Sequence, residues 1–186
     1  MKHDDMLQIV IQGRGGQGAQ TAGNLLARAF FAQGRQVQAF ASYGGARRGT
    51  PVSSFIRVDE RPIRVRCDIE RADAILCFDS SLLQPPLLAR ADGRTVIVTN
   101  SVHDRAEWHE KLPGYRVIPI DAIAISRSQG LGRIVNSALL GALARAIGDP
   151  RLDILRELML QGPRGEENAA SCTLGYQAAG QEEVSS

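Results

Sequence analysis

The stretch Leu7-Gln8-Ile9-Val10-Ile11-Gln12-Gly13-Arg14-Gly15-Gly16-Gln17-Gly18 decides the fold class. Leu7 to Ile11 is short, β-branched and apolar, the profile of a strand buried on both faces of a parallel sheet. It runs into a glycine cluster in which Gly13, Gly15 and Gly18 satisfy G-x-G-x-x-G. From Ala19 to Ala32 apolar residues recur at helical spacing (Ala22, Leu25, Leu26, Ala29, Phe30), and Gly34 stops the helix. Val37-Gln38-Ala39-Phe40 is the next strand. Strand, glycine loop, helix and strand make a βαβ unit. Such glycines let a phosphate approach the backbone, and the following helix aims its unpaired N–H groups and positive dipole end at it. Gly13, Arg14, Gly15, Gly16, Gln17 and Gly18 are therefore candidate cofactor-binding residues. The alternative is a tight turn that packs helix on sheet and binds nothing.

Further along, strand and helix patterns keep alternating. Val52 to Val58 is β-rich, Asp59-Glu60-Arg61-Pro62 is a turn, and Ile63 to Arg66 is expected to pair back as a hairpin. Ala74 to Phe78, Thr95 to Thr99 and Tyr115 to Ile120 read as strands, with a loop or short helix around Ser80 to Leu88. Ile134 to Ile147 and Leu152 to Leu160 read as helices, and a last helix is expected from about Glu166. The expected fold is α/β: a mainly parallel Rossmann-like sheet flanked by helices, with a β-hairpin insertion. Residues 1–186 are expected to form a single domain, with 175–186 as a partly disordered tail.

The 186 residues hold 44% hydrophobic and 23% charged residues, an ordinary globular balance. Cys67, Cys77 and Cys172 are widely spaced with no C-x-x-C, which argues against a zinc or iron–sulfur site in this chain. Met1 to Asp5 is polar, and no run reaches the length of a membrane span, so a cytoplasmic, reduced protein with no membrane attachment is expected. Net charge is +2, yet residues 6 to 58 contain six arginines and no Asp or Glu. That segment favours an anionic ligand or an acidic partner surface. Nucleic acid fits less well, because lysine is nearly absent and no basic stripe carries aromatics.

A dinucleotide site also wants an acid about 20 positions beyond the glycines to hold the ribose. Here the second strand ends among Gln36, Gln38 and Phe40, and no Asp or Glu precedes Asp59. What survives is a phosphate or pyrophosphate site. Arg47 and Arg48 follow the second strand in a Gly-rich loop. They suit bidentate phosphate contact, or equally a solvated surface or an ion pair between subunits. Tyr43 could stack on a ligand ring or simply pack. His103 and His109 read as surface residues, and Asp79-Ser80-Ser81 as a helix cap. No catalytic constellation and no metal-ligand cluster is visible.

Ile11 to Ala19, with Thr21-Ala22 and Leu25-Leu26-Ala27, resembles the G-R-G-G-Q-G opening of gamma subunits of the pyruvate and 2-oxoacid:ferredoxin oxidoreductases. Tyr43-Gly44, Arg47-Arg48-Gly49 and Pro51-Val52 are similar to that family's second block. Arg61-Pro62-Ile63-Arg64 resembles the third, and Ala72-Asp73 with Asp79 to Leu83 the fourth. Asn136, Leu140-Gly141-Ala142, Glu167-Asn168 and Gly175-Tyr176 keep the family's order. Gly45-Ala46 departs from it, standing where relatives often carry a glutamate.

The resemblance implies a gamma subunit of a thiamine-diphosphate-dependent complex that oxidatively decarboxylates a 2-oxoacid to an acyl-CoA. The implied substrate is pyruvate-type, branched or aryl, such as phenylglyoxylate. The chain would contribute to the coenzyme A region and the subunit interface. Thiamine diphosphate, Mg and [4Fe-4S] clusters would lie in alpha, beta and delta-type partners. Electrons would pass to ferredoxin, or to NAD through another subunit. The rival expectation is a stand-alone nucleotide-binding regulator or a scaffold.

Overall fold

A computed structural model describes residues 6–43 and 50–181. The strands are β1 (Leu7–Arg14), β2 (Gln36–Tyr43), β3 (Pro51–Asp59), β4 (Ala74–Cys77), β5 (Val96–Asn100) and β6 (Arg116–Ile120). They form one sheet in the order β2-β3-β1-β4-β5-β6. β1, β4, β5 and β6 pair in parallel, whereas β3 is antiparallel to both β1 and β2. The helices are α1 (Ala19–Ala32), α2 (Pro85–Leu88), α3 (Arg105–Lys111), α4 (Ala122–Ser128), α5 (Asn136–Ile147), α6 (Leu152–Leu160) and α7 (Gly165–Gln181). A 3-10 turn, Ser80–Leu82, follows β4.

Successive strand side chains point to opposite faces, and both faces of this sheet are covered. On one face Ile9, Ile11, Leu76 and Val98 pack with Leu26 and Phe30 of α1 and Leu139 of α5. On the other, Val10, Ile75 and Ile97 pack with Phe55, Leu87 and Trp108. Ile9, Val10 and Ile11 are each 0% exposed, and burying a side chain of this size contributes about 1.5–3 kcal/mol. That is why an unbroken apolar run, and not an alternating one, marks the central strand.

Two expectations need correcting. Ile63 to Arg66 forms no strand. The hairpin partner of β3 is β2, and β1 takes the other edge of β3, so neither edge of β3 is left for residues 63–66 to pair back onto. That segment instead lies as a strap held by side chains. Gln38 Nε2 donates to the Val65 carbonyl at 2.8 Å, and Arg57 Nη2 donates to the Cys67 carbonyl at 2.5 Å. In addition, α7 continues to Gln181, with Gly175 and Ala179 buried, where the sequence suggests a tail. Two further helices, α3 and α4, have no counterpart in the sequence reading. α3 starts at a capping box in which Asp104 accepts from the Glu107 N–H and Glu107 accepts from the Asp104 N–H, a spacing legible as D-x-x-E.

Arg57 is 1% exposed, and among the described residues the acceptors bonded to its guanidinium are neutral. These are Gln8 Oε1 at 3.3 Å, Gln38 Oε1 at 2.8 Å and the Cys67 carbonyl, with the Phe40 ring centroid 5.6 Å away. It therefore clamps the strap to β1 and β2. Arg57→Met removes the donor shared by three part-buried acceptors, so we expect a loss of about 1–3 kcal/mol. Urea unfolding checks this: the midpoint falls, and an unchanged midpoint would mean the strap does not depend on the clamp.

Candidate functional site

The chain fills one side of the sheet with β2 and β3, then crosses to β4, β5 and β6 on the other side of β1. The strand order therefore reverses at β1 and β4, and the crevice beyond their carboxyl ends is where such sheets bind ligands. The glycine loop occupies that crevice. Gly16 and Gly18 have φ of +92° and +84°, which favour glycine. The loop closes on itself: the Arg14 N–H donates to Gln17 Oε1 at 2.6 Å, and the Gln17 N–H donates to the Arg14 carbonyl at 2.9 Å. The Gly15 N–H donates to the Thr50 carbonyl at 3.0 Å. α1 then begins with no side-chain cap and no acid in its first turn. Its positive end is thus left without a counter-charge from that turn.

The Arg14 side chain turns along the sheet edge. Its Nε donates to Asp79 Oδ2 at 2.7 Å and its Nη2 to Ser81 Oγ at 2.7 Å. Burial alone would raise the Asp79 carboxyl. Hydrogen bonds from the Ser81 hydroxyl, the Arg14 guanidinium and the Ser81 N–H outweigh burial and lower its pKa. The ion pair therefore contributes above the ordinary carboxylate range and fades as pH falls through the lowered value. Asp79 also caps the 3-10 turn, as its sequence position implies. Arg47 and Arg48 lie outside the described residues.

Among the described arginines of the acid-free segment, Arg28, Arg35 and Arg57 are engaged away from the cleft. Arg35 meets Asp149 at 3.6 Å, Arg28 reaches Gln161, and Arg57 is buried. Acids distant in sequence fold back onto it, which local charge counting misses. Tyr43 is 59% exposed and bonds through its hydroxyl to Gln20 Oε1.

A second helix start faces the first. Gly130 and Gly132, with φ of +71° and +66°, shape an arch ahead of α5. The Ser126 hydroxyl donates to the Ile134 carbonyl at 2.7 Å, and Arg164 Nη2 donates to the Gly130 carbonyl at 2.8 Å. α5 also begins without a side-chain cap or an acid in its first turn. Asn136 Nδ2 donates to the Gly18 carbonyl at 3.2 Å, tying the two helix starts together. Between them lies a cleft of about 400 Å³ lined by Gly16, Gln17, Phe78, Asn100, Arg133 and Asn136, among others. No carboxylate is among its lining residues. Such a cleft suits a polyanion.

Of the expected residues, Gly16, Gln17 and Gly18 line the cleft. Gly13 and Arg14 close the strand beneath it. Asn100, Arg133 and Asn136 join the site only in the folded chain. The readable signal for the last two is Gly130-Leu131-Gly132-Arg133 directly before a helix, a second glycine-shaped helix start. Burial pushes the Cys77 and Cys172 thiols up to about 12, so both are inert apolar groups at neutral pH. Among the described residues no three His, Cys, Asp or Glu side chains are grouped to hold a metal. No helix among them is long and apolar enough to cross a membrane.

The family model described as Pyruvate ferredoxin/flavodoxin oxidoreductase matches residues 8–178. The chain belongs to that family. Among similar oxidoreductase chains is the Pyruvate/ketoisovalerate oxidoreductases common subunit gamma of Thermococcus kodakarensis. It is 39% identical over 171 residues, covering 88% of this chain and 92% of the relative. The Pyruvate synthase subunit PorC of Methanocaldococcus jannaschii is 36% identical over 177 residues, covering 92% and 96%. The crystal structure of pyruvate oxidoreductase subunit PORC from Thermotoga maritima superposes with a TM-score of 0.81 at 29% identity, covering 94% and 97%. This oxidoreductase chain is thus a gamma-type subunit of a pyruvate/2-oxoacid oxidoreductase complex. The mixed six-stranded sheet flanked by helices matches the fold of the PORC structure.

Proposed function

We propose that this gamma subunit holds the phosphates of coenzyme A in the cleft between the starts of α1 and α5. In the assembled complex a 2-oxoacid is oxidatively decarboxylated to an acyl-CoA and carbon dioxide, with two electrons leaving to ferredoxin or to NAD through another subunit. The observation that supports this reading is the convergence of two uncapped helix starts and Arg133 on a cleft lined by no carboxylate. Coenzyme A carries a diphosphate of the kind such a cleft suits. Gly13 to Gly18 supply the floor, and Arg47 and Arg48 add cationic contacts from the β2–β3 connection. The substrate is a pyruvate-type, branched or aryl 2-oxoacid.

Among the described residues no three His, Cys, Asp or Glu side chains are grouped to hold a metal ion or cluster. Thiamine diphosphate, Mg and [4Fe-4S] clusters belong to alpha, beta and delta-type partners, where thiamine supplies the carbanion chemistry. This chain binds, orients and joins subunits. The complex works in the cytoplasm, with residues 1–186 as one domain.

A scaffold reading has one observation in its favour. Arg14 and Gln17 bond within the chain, so the loop keeps its shape without a ligand. The assembled complex separates the two. Coenzyme A titrated into it, together with 2-oxoacid-dependent dye reduction, should show the Arg47→Ala/Arg48→Ala variant raising the KM for coenzyme A about tenfold at similar kcat. An unchanged KM removes both arginines from the site, and no coenzyme A binding at all leaves the scaffold.

A further inference from the structure

The β2 strand ends the sheet on one side. It pairs with β3, and among the described residues no backbone group bonds to its other side. Such an edge holds a row of N–H and C=O groups open to another chain, and proteins guard it with charge, proline or a covering element. The opposite edge is guarded in that way. β6 is five residues long, starts at Arg116 and contains Pro119, which has no N–H to offer, and α3 and α7 both contact it. β2 is eight residues long, Gln-Val-Gln-Ala-Phe-Ala-Ser-Tyr, with no charge and no proline.

The surface beside this edge is also uncharged. Val37 packs into the core on the α1 side, so strand alternation puts Ala39, Ala41 and Tyr43 on that face. The Tyr43 hydroxyl bonds to Gln20 at the start of α1. Asn24, Ala27 and Phe31 follow Gln20 at helical spacing and form one row beside β2. Phe31 is 72% exposed, and Ala39 and Tyr43 are exposed as well. The nearby cations are turned elsewhere: Arg28 reaches Gln161, and Arg35 meets Asp149.

We propose that this edge is a two-fold interface between two copies of the chain, in which β2 pairs antiparallel with β2 of the second copy and the two sheets become one. Self-pairing sets a surface against itself, so charges at matching positions would meet their like. The strip of β2 and the α1 row carries no charge, which favours a second copy over a partner of complementary charge. Opposite residues of an antiparallel pair share a face of the sheet. Centred on Ala39, the pairing sets Val37 opposite the second copy's Ala41 and Gln38 opposite its Phe40. With about 1.5 Å of rise per helical residue and about 3.3 Å per strand residue, Phe31 stands level with the middle of β2. The two Phe31 rings then meet near the axis, over the small side chain of Ala39.

Analytical ultracentrifugation of the full chain, with hydrogen exchange of the β2 amides, tests this. The expected species is a dimer in which the outward-facing β2 amides are protected. Ala39→Lys sets a like charge against itself at the axis, and Phe31→Gln removes the ring; each change counts twice in a dimer. Both side chains are exposed, so far-UV circular dichroism should stay unchanged while the dimer Kd rises about a hundredfold in the double variant. Val102→Gln, at an exposed side chain beyond β5 on the other side of the sheet, leaves the dimer intact. A chain that stays monomeric up to about 0.1 mM overturns the proposal. Protection of the β2 amides that arises only when the other subunits are added gives the edge to one of them and overturns self-pairing. A dimer unmoved by Ala39→Lys/Phe31→Gln has its interface elsewhere, which overturns it too. None of these outcomes bears on the coenzyme A reading.

Discussion

Gly18→Val is expected to weaken coenzyme A binding by the assembled complex about a hundredfold. Gly18 has a φ of +84° at the start of α1. A non-glycine residue there costs roughly 1–2 kcal/mol, and a β-branched one more. Space is a second obstacle. A Cβ at this position would lie 2.5 Å from Asn136 Nδ2, the atom that donates to the Gly18 carbonyl. Valine must therefore push α1 away from α5 or break their link, and either movement reshapes the cleft between the two helix starts. Gly18→Ala meets the same contact with a smaller group, so its defect should be milder. The measurement is coenzyme A titration beside thermal unfolding. We expect affinity to fall about a hundredfold for valine, more than 2 kcal/mol of binding, with the chain still folded. Gly16→Ala serves as the contrast. Its φ is also positive, but its Cβ would meet no atom of the described residues within 4 Å. Equal loss at both positions would mean backbone strain alone is responsible. No loss at Gly18 would take the helix pair out of ligand binding.

The glycine loop is legible because its information is local. Strand burial, turn conformation and helix start are all written within Leu7 to Ala32, and each follows from rules about neighbouring residues. The place of β3 is not. Val52 to Val58 reads as a strand under any topology, and only pairing energies across the whole sheet place it between β1 and β2. For the same reason Ile63 to Arg66 reads as a strand yet lies as a strap: its hydrogen bonds go to Gln38 and Arg57, residues remote in sequence. Charge misleads in the same way. Arg35 and Asp149 stand far apart in the chain and meet in space. Arg133, which lines the cleft, comes from the acid-bearing second half. Short helices carry too few turns for a periodic pattern, so α3 and α4 escape detection even though Asp104 and Asp121 announce their caps.

The core that fixes α5, and with it Arg133 and Asn136, depends on a near contact between α5 and α7. A Cβ on Gly141 would lie 1.9 Å from the Cys172 carbonyl oxygen, and one on Gly175 would lie 1.9 Å from the Ala138 carbonyl oxygen. Each glycine faces the other helix's backbone, so the two helices touch main chain to main chain at two points. Side chains cannot yield there, because the obstacle is backbone. Gly175→Leu should therefore force α7 away from α5 by roughly an ångström or more, the shortfall of that contact against ordinary packing distances. That separation also loosens Ala138 and Cys172, both 0% exposed. We expect a cost above about 4 kcal/mol, the range of severe overpacking and lost core contact. The isolated chain would lose most of its stability. Gly141→Ala, the smallest possible addition, should already cost about 1–3 kcal/mol. Urea unfolding of the isolated chain measures both. The distinguishing observation is the double variant Gly141→Ala/Gly175→Leu. If α7 has moved aside to admit the leucine side chain, the added Gly141→Ala change should cost less than it does alone, since the gap is already open. Fully additive losses would mean the two contacts yield independently, and a Gly175→Leu chain as stable as the original would exclude close packing of these helices.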